Sequence, residues 1–434
     1  MGSTVSDILT IHTGPAEQAR CADKAALAVA LTDARSHTLA LFAAYEAALG
    51  PGLQVPCMPE LNPPRWELGH VGWFADWWIA RNPERPRGLS ANPHAARHPA
   101  RQSLRGLDAD SLFNSSTVAH DLRWALPLPS TSALRADLAQ SLQDTLALLQ
   151  DAEETDAGLY FFRLALFHED MHAEAAVYMA QNLGFDVGVG LGVDLGFDPS
   201  ASSSSTDKSA LPHTPLAVAA TAWQLGRSGP GFAFDNELGA HTVAVDAFEI
   251  DAQAVTWAQY LPFVDSGAAD QRQHWSDAGW AWRQSRASAL PRYLRRGLRT
   301  PSGEHGWEQQ RHGQWQPLNL AATACHLTAF EAQAWCHWAG RRLPTEAEWE
   351  VAAHTLPGFA WGAVWEWTAS AFAPFPGFTP HPYVDYSAPW FDGRPVLKGA
   401  SPATVPRMRH PKYRNYFTPE RNDIVAGFRS VAAG

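Results

Sequence analysis

The chain has 434 residues, too many for one comfortable hydrophobic core, so we expect two domains. Hydrophobic residues make up 46% of it and charged residues 18%, a balance typical of a folded globular protein rather than a disordered one. The net charge of -11 argues against binding nucleic acid or an anionic membrane through a basic surface.

Cysteine usage and hydropathy bear on the cellular compartment. The four cysteines include no Cys-x-x-Cys pair, which predicts a reduced, cytoplasmic protein without a disulfide framework. The N-terminus lacks the apolar segment of a secretory signal. No run of about 18 apolar residues is present, so we expect no membrane-spanning segment.

The first 190 or so residues are predicted to be helical. Apolar residues recur at helical spacing over residues 24–49, 132–154 and 159–183. A further helix is predicted over 64–77, because Pro64 suits a first helical turn. Four amphipathic helices indicate a four-helix bundle, although the loop over 82–131 is long for one.

The second half has a different texture. Residues 200–215 are rich in serine and proline and are predicted to form a linker between a domain at 1–199 and one at 216–434. Beyond the linker, short runs are broken by Gly, Pro, Asp and Asn. This pattern indicates an irregular α+β domain with one clear helix at 329–339.

Three histidines fall on apolar faces of two predicted helices. His168 and His172 are four residues apart and therefore lie one above the other on one helix face, and His70 lies on the apolar stripe of an earlier helix. A single histidine on such a face is more often a hydrogen-bonded core residue, but three in one bundle favour a metal site. Three imidazoles suit iron, zinc, copper or nickel and leave positions open for water, dioxygen or substrate.

Two other interpretations of these histidines remain. Residues 168–172 also satisfy the His-Glu-x-x-His motif of zinc hydrolases, with Glu169 as general base, but this leaves His70 without a role. A non-catalytic binding protein with vestigial histidines would show neither bound iron nor dioxygen uptake. Glu174 lies on another face from His172, so we expect it to hydrogen-bond a ligand rather than to bind the metal.

These residues resemble the iron-dependent sulfoxide synthases of ergothioneine biosynthesis, over nearly the whole chain. The N-terminal half resembles their DinB-like bundle, in which an early helix supplies one histidine and a His-x-x-x-His-x-Glu motif supplies the rest. The C-terminal half is similar to the formylglycine-generating-enzyme-like fold, a variant of the C-type lectin fold. The resemblance therefore implies an α+β protein that contains both domains. The matching positions are His70, His168, His172 and Glu174 in the first half, and residues 334–340, 342–350, 364–368 and 427–429 in the second.

The motif Leu-Pro-Thr-Glu-Ala-Glu-Trp-Glu carries the resemblance of the second half most specifically. We expect its glutamates, Glu346, Glu348 and Glu350, to stabilise the fold rather than to act in catalysis. Formylglycine-generating enzymes need a reactive cysteine pair near the end of the chain. The last cysteine here is Cys336, so that activity is not expected.

Two departures from the family pattern concern the donor substrate. Members that use glutamylcysteine have paired arginines after a Leu-Phe-Asn-Ser segment, whereas only Arg123 follows residues 112–115 here. Some relatives carry Asn-Trp-Asp near the C-terminus, and its acid contacts the substrate; this chain has Asn415, Tyr416 and Phe417. A charged donor would lose these partners, so a neutral donor is expected.

Met171 is a third departure, since the ergothioneine enzymes tend to have glutamine there. Residues 59–74 and 168–172 look most like the selenoneine synthase branch, which joins hercynine to a selenosugar. The resemblance thus implies iron(II), dioxygen, hercynine and 1-selenoglucose. A thiol donor, as in ergothioneine biosynthesis, is the alternative.

The resemblance also implies a tyrosine of the second domain that donates a proton during dioxygen reduction. Tyr383 and Tyr386 are the candidates, and a structural role is at least as consistent for either. The quaternary ammonium of hercynine calls for aromatic faces or acidic neighbours, and Trp365, Tyr416 and Phe417 are candidate aromatics. If a tyrosine acts, the active site lies between the domains. The sequence leaves the oligomeric state open.

Overall fold

The computed structural model describes residues 14–100, 108–188, 215–299 and 305–433. The predicted linker falls outside these residues as far as position 214, and Pro215 already begins a strand. The predicted linker and domain boundaries therefore stay predictions.

The N-terminal part is helical, as predicted. Four long helices form a bundle. The helices that begin at Lys24 and at Pro64 each pack on the two that begin at Thr131 and at Asp156. Side chains of Asp23, Ser130 and Thr155 accept hydrogen bonds from the first turns of three helices, while Pro64 begins the other. The helices are α1 (Lys24–Leu49), α2 (Pro64–Ala75), α3 (Ala109–Phe113), α4 (Thr131–Gln150) and α5 (Asp156–Leu183).

The predicted long loop contains the short helix α3, which packs on α2. A Cβ atom at Gly69 would lie 2.1 Å from the ring of Phe113, so only glycine allows this approach. The indole of Trp66 donates a hydrogen bond to the Leu112 carbonyl at 2.8 Å. The end of α3 is thereby fixed directly beside His70.

The C-terminal part combines small sheets with four helices. One four-stranded sheet has the order β1-β4-β13-β8 and another the order β11-β10-β9-β12; β2-β3 and β5-β6-β7 form smaller sheets. The strands are β1 (Pro215–Val218), β2 (Thr221–Leu225), β3 (His241–Val245), β4 (Phe248–Asp251), β5 (Leu294–Arg299), β6 (His305–Arg311), β7 (Gln314–Pro317), β8 (Arg341–Arg342), β9 (Trp365–Ala371), β10 (Pro395–Gly399), β11 (Asn415–Tyr416), β12 (Ala426–Gly427) and β13 (Val431–Ala432). The helices are α6 (Trp257–Asp265), α7 (Asp277–Gln284), α8 (Ala329–Trp338) and α9 (Glu346–Thr355).

Helix α9 contains the glutamate-rich motif. Thr345 and Glu348 form a capping box at its start, and Glu348 also pairs with Arg342. Glu346 pairs with Arg414. Glu350 forms ion pairs with Lys398 and Lys412. These contacts are those of fold-stabilising carboxylates, as expected from the sequence.

Helix α5 contacts both halves of the molecule. Its Asp170 forms a bidentate ion pair with Arg407 of the C-terminal part, at 2.7 Å for both hydrogen bonds. A continuous hydrophobic core includes residues of both halves. Among the described helices, none is long and apolar enough to cross a membrane.

Candidate metal centre

The structure brings His70, His168 and His172 together. One ring nitrogen of each lies within 4.8 Å of the others, and within the described residues they are the set of His, Cys, Asp and Glu side chains able to hold a metal ion. The Nε2 atoms of His168 and His172 are 3.2 Å apart. His70 comes from α2, and the other two come from one face of α5, as their i,i+4 spacing predicts.

Hydrogen bonds fix two of the rings from behind. The Nδ1–H of His70 donates to the Phe113 carbonyl at 2.7 Å, and Nδ1 of His172 contacts the carboxylate of Glu67 at 2.6 Å. A histidine that donates through Nδ1 keeps a lone pair on Nε2 for a metal. The third ring, His168, stacks on Phe74 with centroids 3.5 Å apart.

Burial disfavours the charged form of two of the three rings. It lowers the pKa of His70 to about 3 and holds the pKa of His168 well below its usual value. Burial alone would raise the pKa of Glu67, but His172 brings it below the ordinary value. Neutral imidazoles and one supporting carboxylate are the donor set that a divalent transition metal requires, so the residues fit such an ion.

The structure disfavours a zinc-hydrolase role for Glu169. Its carboxylate forms a bidentate ion pair with Arg35 of α1, with hydrogen bonds of 2.8 and 3.0 Å, and both side chains are buried. A general base must reach a water beside the metal, and this carboxylate is held on another face of α5.

Glu174 faces the C-terminal part of the molecule. Its Oε1 accepts hydrogen bonds from the indole of Trp365 at 2.7 Å, from Ser401 at 2.8 Å and from Thr404 at 2.9 Å. Burial raises the pKa of this carboxyl above its usual value. The structure thus gives Glu174 partners other than the expected histidine, and Glu67 occupies the place beside His172.

A cavity of about 130 Å³ is lined by Met171, the residue that precedes His172. It lies between α5 and the C-terminal domain, and aromatic side chains and one carboxylate border it. Its lining includes Met171, Glu174, Tyr178, Trp365, Tyr413, Asn415 and Phe417.

The residues predicted to contact substrate divide into two groups. Met171, Asn415 and Phe417 line the cavity, whereas Tyr416 is not among its lining residues. The Tyr416 ring stacks on Phe372 with centroids 4.0 Å apart, and its hydroxyl donates to the Tyr386 carbonyl.

The two candidate tyrosines occupy different positions. The ring of Tyr383 lies 6.3 Å from that of His168 and 5.1 Å from that of Phe74. The hydroxyl of Tyr386 instead contacts Tyr413 at 3.1 Å and the sulfur of Met171 at 3.7 Å. Tyr383 is therefore the tyrosine beside the histidines.

Arg123 is engaged with the protein. Its guanidinium lies over the ring of Trp66 at 3.9 Å, donates to Asn62 at 2.8 Å and donates more weakly to the Val118 carbonyl at 3.4 Å. Its buried Nε has no hydrogen-bond partner among the described residues. Since Trp66 stacks on His70, Arg123 lies near the centre without reaching its open side.

The comparisons with known proteins agree with both halves of the chain. The family model of the sulfatase-modifying factor enzyme 1-like domain matches residues 201–361. A formylglycine-generating enzyme of Streptomyces coelicolor is 32% identical over 31% of this chain and 45% of that protein. Two proteins named hercynine oxygenase are each 30% identical to this chain. The one from Mycolicibacterium smegmatis matches over 86% of this chain and 91% of its own length, and that from Mycolicibacterium thermoresistibile over 94% of each. The chain therefore belongs to the hercynine oxygenase family.

Proposed function

We propose that this protein is an iron(II) enzyme that uses dioxygen to join hercynine to a selenosugar, 1-selenoglucose, in selenoneine biosynthesis. The observation that carries the proposal is the joint position of three converging imidazoles, an aromatic cavity with a carboxylate, and a tyrosine beside the imidazoles. Bound iron(II) would supply the reduction of dioxygen and the activation of the selenol.

The cavity suits a quaternary ammonium. Such a cation is bound by aromatic faces, here Trp365, Tyr413 and Phe417, and is further stabilised by a nearby carboxylate. Glu174 provides this carboxylate. Its hydrogen-bond donors among the described residues are an indole and two hydroxyl groups, and the positive charge of Arg409 acts on it without a hydrogen bond. A trimethylammonium group in the cavity would place the rest of hercynine toward Met171 and the histidines.

Tyr383 is the proposed proton donor. Burial raises its pKa to about 12, so the phenol keeps its proton at neutral pH beside the histidine cluster. Replacing Tyr383 with phenylalanine should lower the yield of product per dioxygen consumed. Tyr386→Phe is the matched control, because its hydroxyl contacts Met171 and Tyr413 rather than the cluster. Equal yields in both variants would contradict the assignment.

The choice of a neutral donor depends on Arg123. A donor with carboxylates, such as glutamylcysteine, needs arginines free to form bidentate pairs. Arg123 is instead engaged with Asn62 and Trp66.

Ergothioneine-type sulfoxide synthesis with a thiol donor is the alternative function, favoured by the relatives named hercynine oxygenase.

The test compares donors in the full-length protein, reconstituted with iron(II) without oxygen. Dioxygen uptake is followed with hercynine and either 1-selenoglucose or glutamylcysteine, and products are identified by mass spectrometry. A hercynine–selenosugar product, absent in His168→Ala, is expected. Turnover with glutamylcysteine only would establish the alternative. Zinc retention with no uptake from either donor would overturn both.

A further inference from the structure

The segment that carries Tyr383 is held by polar contacts from the helix that bears His168 and His172 and from the segment that contacts His70. We call residues 381–387 the tyrosine loop. One contact comes from α5, the helix of His168 and His172: the hydroxyl of Tyr160 is hydrogen-bonded to Nδ1 of His381 at 3.0 Å. Both side chains are buried. Burial lowers the pKa of His381 to about 4, so the neutral ring can accept this hydrogen bond.

The second contact comes from the segment beside His70. We call residues 113–116 the strap. At one end of the strap, the Phe113 carbonyl accepts the Nδ1–H of His70. At the other end, the hydroxyl of Ser116 donates to the carboxylate of Asp385, in the middle of the tyrosine loop. The side chain of Ser115 also interacts with the hydroxyl of Tyr383.

The far end of the tyrosine loop is fixed within its own domain. Ser387 is fully buried; its hydroxyl donates to Asp235 and accepts from the side-chain amide of Asn236 at 3.0 Å. The loop is therefore attached both within its own domain and to the N-terminal bundle. The Tyr160–His381 and Ser116–Asp385 contacts reach the elements that position all three histidines.

We propose that Tyr160, acting through His381, and Ser116, acting through Asp385, are positioning residues that hold Tyr383 in register with the three histidines. This inference rests on the proposed function, since it assigns the two contacts to the placement of a proton donor. It gives the bundle a second task besides metal binding. Neither residue touches the cluster itself, so their loss should leave metal binding intact.

The first test uses Tyr160→Phe, which removes one hydroxyl and keeps the ring. Tyr45→Phe is its matched control, because Tyr45 is also buried and its hydroxyl also bonds α5, at the Ala176 carbonyl (2.6 Å). Tyr160→Phe should lower kcat about tenfold and change KM for either substrate less than twofold. Tyr45→Phe should lower the melting temperature comparably without this fall in kcat.

The second test uses Ser116→Ala and Asp385→Asn, singly and combined. Each should lower kcat about threefold to fivefold, the combined variant no further than the stronger single one, and Ser116→Thr should restore activity. Thr117→Val is the control, since among the described residues the Thr117 hydroxyl donates to the nearby Asn114 carbonyl and does not contact the tyrosine loop.

Hydrogen–deuterium exchange of the peptide that covers residues 381–387 provides a readout that does not depend on turnover. Exchange should rise in Tyr160→Phe and Ser116→Ala and stay unchanged in both controls, with cobalt(II) binding unaltered throughout. Unchanged loop exchange and kcat in these variants would overturn the proposal. If the unmodified protein turns over neither donor, the proposed function fails, and loop exchange alone decides whether the two contacts hold the loop.

Discussion

The histidine cluster and the buried carboxylates of the C-terminal domain are both polar groups in a protein interior, but they are satisfied differently. Glu366 is fully buried and forms a bidentate ion pair with Arg429, which is fully buried as well. Glu346 is paired in the same way with Arg414. Each of these carboxylates meets its opposite charge within the fold.

The three histidines of the cluster are not paired in this way. Their rings are supported from behind by Glu67 and by the Phe113 carbonyl, while their remaining nitrogens face one another. Buried polar atoms are normally paired with a donor or an opposite charge, so three converging ring nitrogens indicate a place for a cation. The buried ion pairs therefore stabilise the fold, whereas the converging histidines, which have no opposite charge between them, indicate a binding site.

The largest expected effect is on metal affinity, and it compares a histidine of this cluster with a buried histidine outside it. His70→Ala removes one of the three proposed ligands, so metal affinity should fall by more than about 1000-fold, beyond the 10- to 100-fold typical of losing a ligand's hydrogen-bond partner. His326 is the control: it is also buried, and burial lowers its pKa to about 4. Its φ of 61° is a backbone conformation that asparagine also adopts, so His326→Asn should fold normally. Because His326 is not part of the cluster, this variant should retain the metal. Metal content after dialysis, measured by mass spectrometry, decides; loss in both variants would contradict the comparison.

The next effect concerns a completed ion pair. Glu366→Gln leaves the guanidinium of Arg429 buried without its counter-charge, so the free energy of unfolding should fall by about 3 to 5 kcal/mol. Metal affinity of the folded fraction should not change, because the pair lies in the C-terminal domain. Urea unfolding measures the free energy of unfolding, and metal titration measures the metal affinity. Weaker metal binding with unchanged stability would contradict the structural role of this ion pair.

The sequence predicted the convergence of the three histidines because their signals are local. Spacing of i,i+4 places His168 and His172 on one face, and the aromatic stripe of α2 turns His70 inward. Glu67 also had a local signal that was not used: it lies three residues before His70, on a neighbouring face of the same helix turn. A carboxylate there was a candidate partner for a ligand.

The partners of Glu174 could not be predicted in this way. Ser401 and Thr404 are more than 220 residues away along the chain, and only the packing of α5 on the C-terminal domain brings them near. The same holds for the choice between Tyr383 and Tyr386. They are three positions apart in sequence, and the course of the tyrosine loop alone decides which one lies beside the histidines.

A smaller effect tests the cavity. Glu174→Gln keeps the shape of the side chain and removes its charge, so KM for hercynine should rise about tenfold, the equivalent of about 1.4 kcal/mol of lost attraction for a cation. Kinetics at saturating donor measure this, with Glu420→Gln, an exposed site, as control. An unchanged KM would exclude Glu174 as the partner of the ammonium group.

The last expected effect is on the pH dependence of stability and concerns Glu331, which has a capping box but no ion pair among the described residues. Burial raises the pKa of Glu331 to about 7, against 4.5 when unfolded, despite hydrogen bonds from Thr328. Between these values the folded protein holds a proton that the unfolded chain has released. The free energy of unfolding should therefore fall as pH rises from 5 to 7.5, by about 1 to 3 kcal/mol from this group. Glu331→Gln should remove that part of the slope.

Glu348 supplies the matched control for this pH dependence. It closes the same kind of capping box, at the start of α9, but it also pairs with Arg342, and its pKa lies below the usual value although burial opposes this. Glu348 is thus ionised in both the folded and unfolded states above pH 5. Glu348→Gln should lower stability equally at pH 5 and 7.5 in urea unfolding, whereas Glu331→Gln should change the difference between the two. If both variants changed the difference in stability between pH 5 and 7.5 by the same amount, the ion pair of Glu348 with Arg342 would not account for the different pKa values of the two glutamates.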